Sequence, residues 1–185
     1  MRLIQTELPG VVLVEPVVHR DSRGFFLEVY HAERFREIGL GVPFVQDNHS
    51  RSGARTLRGL HLQIREPQGK LVRAISGEIL DVAVDVRRGS PTFKRWVAVR
   101  LSAANFLQCY IPPGFAHGFY VLGDHAEVEY KCTAPYDRLC EIGIAWNDPD
   151  LAIDWPDREP VLSAKDAALP RLAAVIDQLP GTDGN

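Results

Sequence analysis

Between residues 11 and 132 the chain is a succession of short runs rich in Val, Ile, Leu and aromatic residues, each cut off by Gly, Pro, Asp or Ser. Runs of strand length fall at 11–14, 24–30, 44–48, 57–63, 70–75, 79–86, 95–101, 106–111, 118–121 and 126–132. In 79–86 apolar and polar residues alternate, so Asp81 and Asp85 share one face. Ser76-Gly77-Glu78, Arg88-Gly89-Ser90-Pro91, Pro112-Pro113-Gly114 and Gly123-Asp124 read as turns between the runs. Strands this frequent, with no long helix among them, can only bury their apolar faces against one another. The pattern predicts a mainly β fold, a sandwich or barrel, and excludes a parallel α/β sheet.

Helical periodicity is confined to short stretches. Residues 31–38 carry Phe35 and Ile38 three apart and meet a stop at Gly39. Residues 163–168 read as a short capped turn ended by Pro170, and 171–178 as a further short helix. The segment 148–160 holds three prolines and predicts an extended strap packed through Leu151, Ile153 and Trp155, and 180–185 is expected to be a mobile tail. A chain of 185 residues suits one domain over 1–185. Its net charge of −3 gives no general pull toward nucleic acid or an anionic membrane, so an anionic ligand must be met by local cations. Cys109, Cys132 and Cys140 are odd in number and lack metal-ligand spacing, which predicts reduced thiols in or near the core. The first residues lack the apolar run of a signal peptide and no stretch reaches transmembrane length, so the expected location is cytoplasmic.

Two histidines stand out. His61 lies in the strand run Leu57-Arg58-Gly59-Leu60-His61-Leu62-Gln63, and His117 follows the rigid turn in Pro112-Pro113-Gly114-Phe115-Ala116-His117. Pro112-x-Gly114-x-x-His117 resembles the second box of the cupin superfamily, a double-stranded β-helix barrel. Metal-binding cupins carry His-x-His in the first box, with a Glu a few residues on. Here the box reads His61-Leu62-Gln63, with Pro67-Gln68 near the Glu position and Glu66 out of place. The pattern therefore resembles a cupin whose metal set has been dismantled, since a transition-metal site needs three or four converging ligands.

Proton transfer is the alternative use of such a pocket. A neutral imidazole is a general base near neutral pH, best when a carboxylate holds its far nitrogen, and Asp81, Asp85 and Asp166 are the candidates for that role. Lys70, one strand away on an apolar pattern, needs an anion if buried, either a core Asp or a substrate oxyanion. Tyr130 and Tyr136 are candidate acids, against the plainer reading of packed aromatics. Arg23, Arg58 and Lys70 could meet a phosphorylated ligand, against plain surface pairing. Spacing alone supports a barrel with a polar pocket suited to acid–base work.

Taken together, the ordered boxes Asp21-Ser22-Arg23-Gly24-Phe25-Phe26-Leu27-Glu28, Gln46-Asp47-Asn48-His49-Ser50, Leu57–His61, Lys70, Asp81–Phe93, Pro112–Phe119, Tyr130-Lys131-Cys132, Ala134-Pro135-Tyr136, Trp146–Pro149, Ile153–Pro156 and Leu162-Ser163-Ala164-Lys165-Asp166 resemble the dTDP-4-dehydrorhamnose 3,5-epimerase family over nearly the whole chain. The resemblance implies a cupin-like barrel with a few short helices, and cofactor-independent, metal-free epimerisation beside a ketone. His61 resembles the base, Asp166 its orienting carboxylate, Tyr130 the acid and Lys70 the cation at the enolate oxygen. It implies a dTDP-sugar substrate held by Arg23, Phe26, Glu28, Gln46, Asn48, Arg58, His117, Tyr136 and Lys165. A homodimer with composite sites follows from the same resemblance, with the group around Arg23 contributed by the partner. Mono-epimerases acting on C3 or C5 alone and a non-catalytic nucleotide-sugar binder are the competing readings.

Overall fold

A computed structural model of the chain describes residues 1–181. Eleven strands are defined among these residues: β1 (Arg2–Gln5), β2 (Val12–Glu15), β3 (Val18–Asp21), β4 (Gly24–Leu27), β5 (Gln46–Gly53), β6 (Leu57–Gln63), β7 (Lys70–Asp85), β8 (Trp96–Ser102), β9 (Gln108–Ile111), β10 (Phe115–Cys132) and β11 (Glu141–Gly143). Three short helices accompany them, α1 (Ala32–Glu37), α2 (Ala164–Ala167) and α3 (Leu172–Val175), the last running into a 3₁₀ turn over Ile176–Gln178.

The long antiparallel pair β7–β10 organises everything else. The first part of β7 pairs with β9 and its second part with β8; β10 pairs with β6 through its first part and with β5 through its second. Each long strand therefore belongs to two sheets, β1-β2-β9-β7-β10-β5 on one side and β8-β7-β10-β6-β11 on the other. This is a mainly β barrel, one of the two forms that the run of short strands predicts, and it has the cupin-like character that the resemblance implies.

The bend between the halves falls where turns are expected. Ser76-Gly77-Glu78 and Gly123-Asp124 do not end strands; they are register shifts, between Val121 and Ala126 and between Glu127 and Val128 of β10. Gly77 has φ +70°, and a Cβ there would stand 2.0 Å from the His125 carbonyl oxygen. The shift also changes which residues face inward. Along β10 the inner set passes from Phe115, Phe119 and Val121 to Ala126 and Val128, and along β7 from Val72 and Ala74 to Ile79 and Ala83. Lys70 shares the inner phase of Val72 and Ala74, and Tyr130 that of Ala126 and Val128, whereas Asp81 follows Ile79 and Ala83, and His117 follows Phe115 and Phe119.

Outside the barrel, the strap reaches its expected place: Leu151, Ile153 and Trp155 join Leu172, Val175 and Leu179 over Val82, Val84 and Leu57. The opposite sheet is covered by α1, whose Phe35 packs with Val12, Val14, Leu71 and Tyr110. All three cysteines are free and buried.

Several boundaries differ from the expectation. The run 24–30 is strand only over Gly24–Leu27, and Val18–Asp21 ahead of it form β3, its antiparallel partner in a separate two-stranded sheet. The run 44–48 becomes β5 and extends to Gly53, and β1 and β11 have no counterpart in the pattern. The expected mobile tail is held at its start, where Arg88 pairs with Gly181 in a parallel bridge and its N–H donates to the Pro180 carbonyl at 2.7 Å. The rest of that tail, 182–185, lies outside the described residues.

Candidate active site

Strand β6 approaches β10 closely because two glycines face each other. A Cβ on Gly59 would lie 2.6 Å from the Gly118 Cα, and one on Gly118 would lie 2.7 Å from the Arg58 carbonyl oxygen. The pairing that results sets His61 directly across from His117. Lys70 is brought beside them through β7, and Tyr130 through the far half of β10.

Two adjoining cavities of about 320 and 270 Å³ share His61, Lys70 and Tyr130 in their walls. The first is also lined by Gln46, Asn48, Gln63, Cys132, Tyr136 and Glu141. The second takes in Ser50, Arg58, His117, Lys165 and Asp166. The structure thus gathers ten of the thirteen residues read from the sequence into one place. Arg23, Phe26 and Glu28 are not among them: Arg23 pairs with Asp21 at 2.6 Å, Phe26 is 70% exposed on the β3–β4 hairpin, and Glu28 accepts from Arg34 at 2.9 Å.

The three candidate carboxylates have separate partners. Asp166 reaches His61 Nε2 at 2.6 Å, Asp81 reaches His117 Nε2 at 2.7 Å, and Asp85 is taken up by Arg87, Ser90 and Thr92. Asp81 and Asp85 are therefore not orienters of His61, since strand pairing points Asp81 at the opposite histidine and Asp85 lies at a corner of β7. Asp166 comes from α2, where the Ser163 hydroxyl accepts from its backbone N–H at 3.0 Å and caps the helix. Burial pushes the Asp166 carboxyl up, but the hydrogen bond from His61 leads the groups that outweigh it, and the net direction is down. An ionised carboxylate only accepts, so Nε2 carries the proton and Nδ1 is the nitrogen left for chemistry.

Burial dominates the other two groups. It pushes the Lys70 ammonium below the usual lysine range, partly offset by Cys132, Glu141 and Asp81, and no side chain among the described residues pairs with it. It pushes the Tyr130 phenol above the usual tyrosine range, so the hydroxyl keeps its proton at neutral pH. An unpaired ammonium, a protonated phenol and a carboxylate-held imidazole around one cavity can remove a proton from carbon, steady the oxyanion that forms, and return a proton.

Glu141 belongs to the same wall and was absent from the sequence reading. Its carboxylate accepts from the Tyr136 hydroxyl at 2.9 Å, pairs with Lys165, and lies 4.0 Å from His61 Nδ1. Its only signal is a single acidic residue between Cys140 and Ile142 in a strand too short to show alternation. Among the described residues no three His, Cys, Asp or Glu side chains converge as a ligand set.

Fold and site together define a class: a cupin-like barrel equipped for acid–base chemistry at a carbon acid. Comparison with known proteins gives the family. The family model described as dTDP-4-dehydrorhamnose 3,5-epimerase matches residues 5–174. The dTDP-4-dehydrorhamnose 3,5-epimerase of Pseudomonas aeruginosa is 57% identical over 90% of this chain and 93% of its own. A crystal structure of the Legionella pneumophila dTDP-6-deoxy-D-glucose-3,5-epimerase in complex with dTDP-4-keto-L-rhamnose superposes with a TM-score of 0.94, at 48% identity over 98% of each chain. A 3'-monoepimerase from Streptomyces bikiniensis, solved with dTDP-quinovose, follows at a TM-score of 0.89 and 38% identity over 95% of this chain and 91% of its own. The chain belongs to the dTDP-4-dehydrorhamnose 3,5-epimerase family, a family of isomerases.

Proposed function

We propose that the protein epimerises C3 and C5 of dTDP-4-dehydro-6-deoxy-D-glucose to give dTDP-4-dehydro-L-rhamnose, supplying the synthesis of dTDP-L-rhamnose. The observation that carries this reading is the shared cavity of His61, held by Asp166 at 2.6 Å, with Lys70 and Tyr130. Both carbons flank the C4 ketone. His61 Nδ1 takes the proton from carbon, and the C–H electrons pass into an enolate whose charge gathers on O4. Lys70 meets that charge; a fixed cation of this kind is worth on the order of 10²–10³ in rate. Inversion needs the new proton from the opposite face, which Tyr130 supplies. No cofactor enters the sequence of steps, because the proton leaves and returns without net oxidation.

Arg58 lies by the diphosphate in this reading, with Gln46, Asn48, His117 and Lys165 around the sugar and nucleoside and Tyr136 stacked on the base. Arg23, Phe26 and Glu28 come from the hairpin of a partner subunit, which would cover the exposed Phe25 and Phe26 in a homodimer with composite sites. The single domain of 1–185 acts in the cytoplasm, and no helix among the described residues is long and apolar enough to cross a membrane.

The test is NMR of dTDP-4-dehydro-6-deoxyglucose incubated with the protein in D₂O. Deuterium at both C3 and C5 with inverted configuration is the expected result. Deuterium at one carbon alone favours the mono-epimerase reading, which the resemblance to the Streptomyces bikiniensis enzyme keeps in play. No exchange while dTDP still binds would leave a nucleotide-sugar binder. His61→Ala and Asp166→Asn should each slow exchange by about 10² or more, and Tyr130→Phe should spare exchange more than inversion.

A further inference from the structure

Gln63 stands at the second position of the His-x-His box that metal-binding cupins use as a ligand, and here its side chain is engaged elsewhere. It is buried, 5% exposed, and lines the cavity beside His61. Its Nε2 donates to the carbonyl oxygens of Glu66 at 2.6 Å and Pro135 at 3.1 Å, and its Oε1 accepts from the Asp137 N–H at 2.9 Å. All of its side-chain hydrogen bonds therefore go to backbone groups of two loops, 64–69 and 133–140. The peptide groups flanking Tyr136 are held in this way on both sides. Between them the Tyr136 N–H donates to a second glutamine, Gln46 Oε1, at 2.8 Å. The phenol end is fixed by Glu141 at 2.9 Å.

This is an unusual investment in a residue that is itself 51% exposed. A surface loop normally satisfies its backbone with water and moves accordingly. Here three consecutive residues, Pro135, Tyr136 and Asp137, each have a backbone group tied to a glutamine rooted in the barrel wall. A ring held in this way presents its face to a ligand without first having to be ordered, and the ordering cost is removed from binding.

We propose that Gln63 is a positioning residue for nucleotide recognition: it sets Tyr136, and through Tyr136 the affinity for the base of the substrate. The proposal rests on the reading of Tyr136 as the base-stacking residue. Gln63→Met keeps the length of the side chain and removes its amide, so the three backbone partners turn to water and the loop loosens.

The experiment is calorimetric titration of dTDP into four proteins: wild type, Gln63→Met, Tyr136→Ala and the double variant. Gln63→Met should raise the dissociation constant about tenfold, the loss expected for the net worth of a few neutral hydrogen bonds. In turnover the effect should fall on KM rather than kcat. In the Tyr136→Ala background the same substitution should have almost no further effect, a non-additivity that general destabilisation would not produce. Gln63→Glu keeps the acceptor for the Asp137 N–H but loses both donors, and supplies the same comparison if the methionine variant does not fold. Wild-type affinity in Gln63→Met, or an undiminished loss in the Tyr136→Ala background, overturns the proposal. Undiminished affinity in Tyr136→Ala alone sinks the stacking reading on which it rests.

Discussion

Lys70 is half-buried in the wall of the cavity, so its ammonium is poorly hydrated and its pKa falls below that of a free lysine. The consequence is a sign for the pH profile. If Lys70 must be charged to hold the enolate, kcat/KM is full below the Lys70 pKa and falls as pH rises through it, at a pH below the ordinary lysine value of 10.5. Tyr130 must also be protonated, but burial moves its ionisation upward from 10.0, so it sets a later limb. A rate–pH profile should show the earlier limb in the wild type, and Lys70→Arg should abolish it because a guanidinium does not titrate in this range. An alkaline limb unmoved by Lys70→Arg would assign the loss to another group. At this scale the sequence was most legible for His61, Lys70 and Tyr130, which stand out as polar residues on apolar strand runs and receive roles from the family resemblance. The partner of His61 was open among Asp81, Asp85 and Asp166 until the family resemblance favoured the last, because spacing along a chain says nothing about which helix end meets which strand.

The elements show why turn chemistry is a weaker guide than it looks. Gly77 and Gly123 both lie in segments read as hairpin turns, and both lie instead within the long strands β7 and β10. A turn and a β-bulge ask for the same residues, those that tolerate positive φ or a missing ladder bond, and only the strand across decides between them. The two glycines are nevertheless unequal. Gly77 has φ +70° and a backbone oxygen 2.0 Å from any added Cβ, whereas nothing comes within 4 Å of one at Gly123. Gly77→Ala should therefore cost roughly 2–4 kcal/mol, and Gly123→Ala about 0.5 kcal/mol or less. Urea unfolding checks this: the midpoint should drop sharply for the first and hardly for the second, with the slope unchanged. Equal losses would mean that the bend is not pinned at Gly77.

At the scale of the whole molecule, the β3–β4 hairpin is the part that the barrel does not use. It forms its own sheet, with Phe25 56% and Phe26 70% exposed, and it holds Arg23 clear of the His61 cavity. The composite-site reading makes a sharp prediction. His61→Ala and Arg23→Ala should each be impaired as homodimers. Hybrid dimers made by co-expression should regain up to half of the wild-type activity per dimer, because one of their two sites combines an intact His61 with an intact Arg23. Hybrids no more active than the parents would mean that Arg23 does not serve the partner's site.

Alternation, turn residues and the lack of long helices were sufficient by themselves for the fold class, because a strand buried on one face reveals itself locally, every second residue. They also offered His61, Lys70 and Tyr130 among several polar candidates, and the family resemblance chose between these. Only the tertiary structure decided that two apparent hairpins are bends in continuous strands and that Asp81 belongs to His117 while Asp85 holds a corner. It also decided that Glu141 holds the Tyr136 hydroxyl and that Gln63 bonds the backbone of Pro135 and Asp137 on either side of it. These are contacts between segments far apart in the chain, set by which strands lie side by side, and no local periodicity encodes that arrangement.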